Sequence, residues 1–180
     1  TFKENLMTSK KIEKALNSHL NYELGASLQY LAMASWCETM GMDGAASFFY
    51  GHAHEENLHF IKLFQYINEV NGHAIVPQVK QPNHSFKGIA EICQMAYENE
   101  KKVTQAIFTL VELSKAEDDH VTTEMLRFYV QEQREEETLF QKVLDKIKLI
   151  GTGSQSLYYI DKELGSLAKP APEPPADSAA

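Results

Sequence analysis

The chain contains four long stretches in which apolar residues recur every three or four positions, the spacing typical of helices that bury one face. Prolines are absent from residues 1–76 and again from residues 83–169, so little interrupts a helix in either block. The pattern predicts four helices, over about residues 8–38, 43–71, 85–114 and 120–150. A shorter segment predicts a fifth helix over residues 154–164, and there is no β-strand signal of note.

The connections between these helices predict how they pack. Short turns join the first helix to the second and the third to the fourth, so each pair should form an antiparallel hairpin. Ser85 and Asp119 are the predicted N-caps of the third and fourth helices. Segment 71–84 contains both internal prolines and, at roughly 40 Å when extended, can run along most of a helix. These features predict an all-α four-helix bundle with one long crossover loop.

Length and composition predict one folded domain and a tail. The chain has 180 residues and a mass of 20.4 kDa, enough to bury one substantial core. We expect the domain to cover residues 1–165. Residues 166–180 are rich in proline and alanine, which predicts a disordered tail.

Charge and cysteine content limit the expected partners and compartment. The formal net charge of −8 argues against nucleic acid as a main partner and suits a surface that attracts cations. No apolar run approaches the roughly 18 residues that a membrane span needs. Cys37 and Cys93 form no CxxC motif, which favours a reducing compartment. We expect a cytoplasmic protein, or an organellar one if a leader was removed before Thr1.

Each of the four long apolar stripes contains one glutamate near the middle of its helix. These residues are Glu23, Glu56, Glu100 and Glu136. In an antiparallel bundle the midpoints share one level, so the four carboxylates should converge. Four buried carboxylates cannot all stay ionised without compensation: they must protonate, pair with a buried cation or bind metal. No lysine or arginine lies on the stripes at this level, whereas a histidine, a glutamine and a tyrosine do: His59, Gln133 and Tyr30.

A metal centre is the interpretation that uses all of these groups. Carboxylates with one imidazole and no thiolate favour iron or manganese over a structural zinc ion. Glu56 and His59 lie one turn apart on one helical face, so Glu56 can bridge two metals while His59 binds one. Any one of these features alone is more often a solvated helix face, and only the coincidence on four helices favours metal. His19, His52 and His54 are expected at the surface or core edge rather than as ligands.

Four segments resemble the bacterial non-haem ferritins: "NYELGASLQYLAMASWC" (21–37), "GAASFFYGHAHEENLH" (44–59), "YVQEQREEETLF" (129–140) and "LYYIDKEL" (157–164). The resemblance covers about residues 6–165. It implies a ferritin-like four-helix bundle with one long crossover loop and a short fifth helix. It also implies a 24-subunit shell that stores ferric mineral, with a ferroxidase di-iron site in each subunit that oxidises Fe²⁺ with O₂ or H₂O₂.

The resemblance assigns two iron positions to the centre and a third position beside it. The first position would use Glu23, Glu56 and His59. The second would use Glu56, Glu100 and Glu136, with Gln133 close by. The third would use Glu55, Glu132 and Glu135. Tyr30 matches the tyrosine that lies beside the iron in this family, and Tyr30 and Gln133 would orient ligands or supply an electron.

Two departures separate this chain from related families. Bacterioferritins carry a haem-ligating methionine directly after the glutamate of the Glu-x-x-His motif, whereas Asn57 stands here, so no haem is expected. They also repeat the motif on the fourth helix, where this chain has Leu139, so its two iron positions should be unequal. The alternative function is a ferritin-like di-iron oxidase or peroxidase that acts on another substrate. A bundle without metal is a third possibility, which leaves the inward glutamates unexplained.

Overall fold

A computed structural model describes residues 8–151 and 153–169 of the chain. Within these residues it contains five α-helices and no β-strand, as the apolar pattern predicts. The helices are α1 (Lys10–Thr39), α2 (Asp43–Glu69), α3 (Ile89–Ala116), α4 (His120–Ile150) and α5 (Ser154–Leu167). No described helix combines the length and apolar character needed to cross a membrane.

The first four helices form two hairpins. α1 packs on α2 and α3 packs on α4, and these are the two most extensive helix contacts. The side chain of Ser9 accepts a hydrogen bond from the Ile12 amide and caps α1, and Asp119 caps α4 by accepting from the Thr122 amide at 2.8 Å. Gly41, at φ +69°, supplies the left-handed residue that the tight turn between α1 and α2 requires.

The crossover between α2 and α3 is longer than the sequence predicts. Ser85 is not the N-cap of α3, because Asn83 closes a local turn with the amide and carbonyl of Ser85. The helix begins at Ile89, with Gly88 in the cap position. The crossover follows α1: Asn17 bonds to the backbone of His73 and Ile75, and Gln29 bonds to the backbone of Asn83.

The buried apolar side chains form two separate clusters, one towards each end of the bundle. Phe48, Phe49 and Phe140 belong to the cluster nearest the α1–α2 turn. Leu63 and Leu126 belong to the cluster at the opposite end. The buried charged residues lie in the helical turns between these clusters, so the core is interrupted by a polar layer at one level.

The fifth helix packs on the first turns of α2 and brings the following residues to the middle of the bundle. Gly44 allows this approach, because a Cβ there would lie 2.3 Å from the carbonyl oxygen of Asp161. The chain then passes Gly51 of α2, where a Cβ would lie 3.4 Å from the carbonyl oxygen of Lys169. α5 includes Ser166 and Leu167, which the sequence places in the tail. The predicted disorder of residues 170–180 lies outside the described residues.

Candidate metal centre

The four mid-helix glutamates lie together in the polar layer, one from each long helix. They are almost completely buried, with 1 % of Glu23, 2 % of Glu56, none of Glu100 and 2 % of Glu136 exposed. Each glutamate lies there because it is on the apolar stripe near the middle of its helix, and the midpoints of antiparallel helices share one level. Whether they bind metal remains a prediction.

Glu23, Glu56 and His59 form one possible metal-binding group. One ligand atom from each lies within 4.8 Å of the other two. His59 Nδ1 is 3.4 Å from Glu56 Oε2 and 3.8 Å from Glu23 Oε2. His19 Nε2 lies 2.7 Å from Glu23 Oε1, so His19 holds the far oxygen of this carboxylate. This is the set that the family resemblance assigns to the first iron position.

Glu100 is held by two neutral donors. The hydroxyl of Tyr30 donates to Glu100 Oε1, and Gln133 Nε2 donates to Glu100 Oε2 at 2.9 Å. The ring of Tyr30 stacks on those of Phe49 and Phe140, which fixes where its hydroxyl points. Tyr30 and Gln133 therefore lie beside the carboxylates, as their helical positions predict, and each orients Glu100.

Glu136 has a different environment from the other three glutamates. Its Oε2 lies 3.2 Å from His52 Nδ1, although the alignment of the two groups does not make a hydrogen bond. Its Oε1 accepts from Lys169 Nζ at 3.3 Å. The Lys169 ammonium also contacts Glu55. One carboxylate of the centre is thus paired with a cation that follows α5 in the chain.

The residues expected to form the third position come together only in part. Glu55 and Glu132 lie close to each other and to His59, within 4.8 Å for one ligand atom each. The Glu135 side chain is 57 % exposed and accepts a hydrogen bond from Gln131 instead. The described residues therefore bring together two of the three carboxylates.

The carboxylates differ in their affinity for protons. Burial, followed by the charges of Glu100 and Glu23, raises the pKa of Glu56 well above its usual value. Burial and then Glu136 raise the pKa of Glu100 to about 7. Burial would also raise the pKa of Glu136, but His52 and Lys169 outweigh it, so this pKa is lowered. Without metal, protons relieve the repulsion at Glu56 and Glu100, and Lys169 relieves it at Glu136.

The donor set fits iron. Hard carboxylate oxygens with imidazole nitrogens are suitable ligands for iron, and both cysteines are buried away from the centre, in the apolar cluster near the α1–α2 turn. Four buried polar atoms in the described part of the chain have no hydrogen-bond partner: His19 Nδ1, His52 Nδ1, His52 Nε2 and Glu136 Oε2. Three of these lie at the Glu136 end, where a metal ion would supply a partner to a histidine nitrogen and to the carboxylate.

Sequence reasoning missed three residues of this centre. His19 and His52 are buried, with 3 % and 1 % exposed, and do not lie at the surface or core edge; only His54 is exposed. A signal existed for both, because His19 precedes Glu23 by four residues and His52 precedes Glu56 by four. No sequence spacing indicates that Lys169 lies close to the centre.

Comparison with known proteins agrees with the fold. Residues 13–150 match the model of the family described as "Ferritin-like domain". The chain is 42 % identical over 162 residues to a "Bacterial non-heme ferritin" of Campylobacter jejuni, covering 90 % of this chain and 97 % of the relative. It is 37 % identical over 162 residues to one of Escherichia coli, covering 90 % and 98 %.

Solved structures with the same architecture support this relationship. An open-pore ferritin from Archaeoglobus fulgidus superposes with a TM-score of 0.84 at 33 % identity, over 87 % of this chain and 97 % of that one. A humanized archaeal ferritin superposes with a TM-score of 0.86 at 33 % identity, over 92 % and 99 %. The ferritin-like four-helix bundle and the resemblance to bacterial non-haem ferritins are both confirmed: the chain belongs to the ferritin family.

Proposed function

We propose that this chain is an iron-storage ferritin with ferroxidase activity, which oxidises Fe²⁺ inside the subunit and stores ferric mineral in a 24-subunit shell. One observation carries the proposal. Four buried carboxylates, one from each long helix, interrupt the hydrophobic core beside His59. Because such a layer costs stability in the absence of metal, a binding function explains it better than a structural one.

Two Fe²⁺ ions would bind as substrates at unequal positions. Glu23, Glu56 and His59 would hold the first, and Glu56, Glu100 and Glu136 the second, with Glu56 shared between them. Each Fe²⁺ loses one electron; O₂ takes up the two electrons and two protons and becomes H₂O₂, or H₂O₂ becomes two waters. Anionic oxygen donors favour Fe³⁺ over Fe²⁺ and so favour the oxidised state.

Tyr30 and Gln133 would support the second position without binding iron. Both donate to Glu100, so together they fix the direction of its carboxylate. We retain Glu55, Glu132 and Glu135 as the proposed third position. We also retain the prediction that no haem binds, because Asn57 offers no thioether.

Assembly is supported by the exposed apolar surface as well as by the family. Tyr22 and Leu31 of α1 are 45 % and 42 % exposed, and Ile75 and Val76 of the adjoining crossover are 58 % and 67 % exposed. Large exposed apolar side chains are typical of surfaces that another subunit covers. The 24-subunit number remains part of the proposal, as does a cytoplasmic location, which the two free thiols favour.

The alternative, a di-iron oxidase or peroxidase for another substrate, has one supporting feature. An open groove of about 870 Å³ between α3 and α4 is lined partly by Gln133 and Thr104. Gln133 contacts Glu100, so a molecule in this groove would approach the second iron position. Assembly mass separates the two functions. A shell of 24 copies of 20.4 kDa has a mass of about 490 kDa, whereas a dimer would favour the alternative.

The ferroxidase assignment is tested by adding Fe²⁺ aerobically and following ferric absorbance. The double variant Glu56→Ala/His59→Ala should oxidise iron at close to the protein-free rate, since it removes the shared carboxylate and the imidazole. His54→Ala, on the same helix but exposed, is the matched control and should keep the parent rate. Oxidation by the double variant at the parent rate would refute the site.

A further inference from the structure

The residues that follow α5 lead from the end of the bundle to the buried centre. α5 ends at Leu167, and Ala168 is extended, with φ −61° and ψ 129°, so the backbone leaves the helix there. Leu167 and Ala168 pack against the apolar cluster nearest the α1–α2 turn. The ammonium of Lys169 then contacts Glu55 and lies 3.3 Å from Glu136 Oε1. We call Ala168 and Lys169 the strap.

Two glycines on one face of α2 leave room for α5 and for the strap. Gly44 and Gly51 are seven residues apart, which is about two helical turns, so they lie on the same face. α5 docks at Gly44, as described above. A Cβ at Gly51 would lie 3.4 Å from the carbonyl oxygen of Lys169 and 3.5 Å from its Cβ and its amide nitrogen. The strap therefore lies directly against α2.

Two partly exposed carboxylates adjoin the buried centre on this side of the bundle. The side chains of Glu55 and Glu132 are 21 % and 23 % exposed, whereas that of Glu136 is 3 % exposed. One ligand atom each of Glu55, Glu132 and His59 lies within 4.8 Å of the other two. Glu55 and Glu132 thus form an acidic mouth between solvent and the centre, and such a mouth attracts cations.

The strap places a positive charge in this acidic mouth. The Lys169 side chain is 43 % exposed and its ammonium contacts both Glu55 and the buried Glu136, so it lies between solvent and the centre. A metal ion that approaches Glu136 from this side meets the ammonium, and the two positive charges repel each other. The ion can pass only when the ammonium moves away.

We propose that the strap is a movable closure of the acidic mouth, which must leave α2 before Fe²⁺ can enter the centre between α2 and α4. The inference rests on the proposed function, because it assigns an entry route to the substrate of the same centre. It adds no ligand and no further ion. It concerns the rate at which ions reach the centre, and the strap is closed while Lys169 pairs with Glu55 and Glu136.

The exposure of the ion pair sets how strongly it holds the strap. A partly exposed ion pair changes the ratio of closed to open strap by up to about fivefold, which corresponds to about 1 kcal/mol. Removing the charge should therefore speed metal entry by up to about fivefold. A covalent bond between the strap and α2 should instead prevent opening.

The decisive variant is Gly51→Cys/Lys169→Cys, which can join the strap to α2 by a disulfide. The two Cβ atoms would lie about 3.5 Å apart, within the range found in disulfides. Cys37 and Cys93 are buried in the apolar cluster and do not compete for this bond. The oxidised and reduced forms both lack the ammonium, so any difference between them reports movement of the chain and not charge.

The measurement is the rate of Co²⁺ uptake by metal-free assembled protein without oxygen, followed by the visible absorption of the bound ion after rapid mixing. The oxidised double variant should lose most of the uptake rate, and reduction followed by removal of the reductant should restore it. Because the strap controls entry and not the number of sites, the parent and the reduced variant should bind equal amounts of Co²⁺ at saturation.

Single variants test the part played by the ammonium. Lys169→Gln removes the charge and should take up Co²⁺ up to about fivefold faster than the parent. Lys169→Arg keeps the charge and should retain the parent rate. Lys162→Gln, at an exposed position of α5, is the matched control and should also retain the parent rate.

Each other result contradicts a defined step. Equal uptake by the oxidised and reduced double variant would overturn the movable closure. Failure of the two cysteines to form a disulfide would overturn the position of the strap on α2. Uptake by Lys169→Gln at the parent rate would overturn the role of the ammonium. In these cases Co²⁺ binding leaves the proposed function standing, whereas a parent that binds no Co²⁺ would overturn both.

Discussion

The proton that Glu100 retains makes the stability of the metal-free protein depend on pH. Burial and the charge of Glu136 raise the pKa of Glu100 from 4.5 to about 7 in the folded chain. Below pH 4.5 the carboxyl is neutral in both the folded and the unfolded chain and has no effect on stability. Between these values the unfolded chain ionises while the folded chain keeps its proton, so the free energy of unfolding falls as pH rises.

The loss can be calculated from the two pKa values. They differ by about 2.5, and each pKa unit corresponds to about 1.4 kcal/mol, so the folded state loses about 3 kcal/mol by the time pH exceeds 7. Glu100→Gln removes this loss because an amide does not ionise. The new amide can accept from the Tyr30 hydroxyl through its oxygen, and Gln133 can rotate its own amide to present oxygen to the new NH₂ group.

The assay is urea unfolding of metal-free protein in a chelating buffer, at equal subunit concentration, from pH 4.5 to 8. The variant and the parent should differ little at pH 4.5, and the variant should be about 3 kcal/mol more stable at pH 8. Glu124→Gln, whose side chain is 74 % exposed, is the matched control and should follow the parent. A difference between Glu100→Gln and parent that stays constant across this range would refute the reasoning.

Two further predictions concern the support of the centre and the docking of α5. Tyr30→Phe removes the hydroxyl that orients Glu100, so ferric absorbance should rise about tenfold more slowly, a loss of about 1.4 kcal/mol. Tyr66→Phe, which loses a hydroxyl contact in the far apolar cluster, should keep the parent rate, and equal rates for all three proteins would contradict the role of Tyr30. Gly44→Ala places a Cβ 2.3 Å from backbone and should cost about 1–3 kcal/mol in thermal unfolding. Gly88→Ala meets no atom within 4 Å and is its control, and matching melting temperatures would show that α5 tolerates the added methyl group.

Most of the fold could be predicted from the sequence because its signals are local. The helical period and the proline-free blocks indicate the helices, and Asp119 caps α4 as its position before an apolar stripe predicts. Ser85 was an equally reasonable cap by residue type. Ser85 does not cap α3 because the Asn83 side chain bonds to its backbone amide and carbonyl in a turn. The spacing of apolar residues does not indicate which of these two local hydrogen-bond patterns forms.

The positions of some residues of the centre could be predicted from helical periodicity, and the positions of others could not. Glu23 and Glu100 could be placed inside the bundle because face and level both follow from position along a helix. The buried position of His52 could also have been predicted in this way, since it precedes Glu56 by one turn, but the sequence analysis placed this histidine at the surface or the edge of the core. The contact of Lys169 with Glu55 could not be predicted from helical spacing, because it spans 114 residues and depends on how α5 docks.

The separation of the core into two apolar clusters explains how the chain can fold although charged residues are buried between them. Each cluster is completed by side chains from α1 to α4, so the helices are held together above and below the polar layer without help from it. The layer itself is compensated in the metal-free chain by protons at Glu56 and Glu100 and by the Lys169 ammonium at Glu136. Metal binding would have to displace the protons and the ammonium, so the fold can form before metal binds, and metal affinity would be reduced by the free energy needed to displace them.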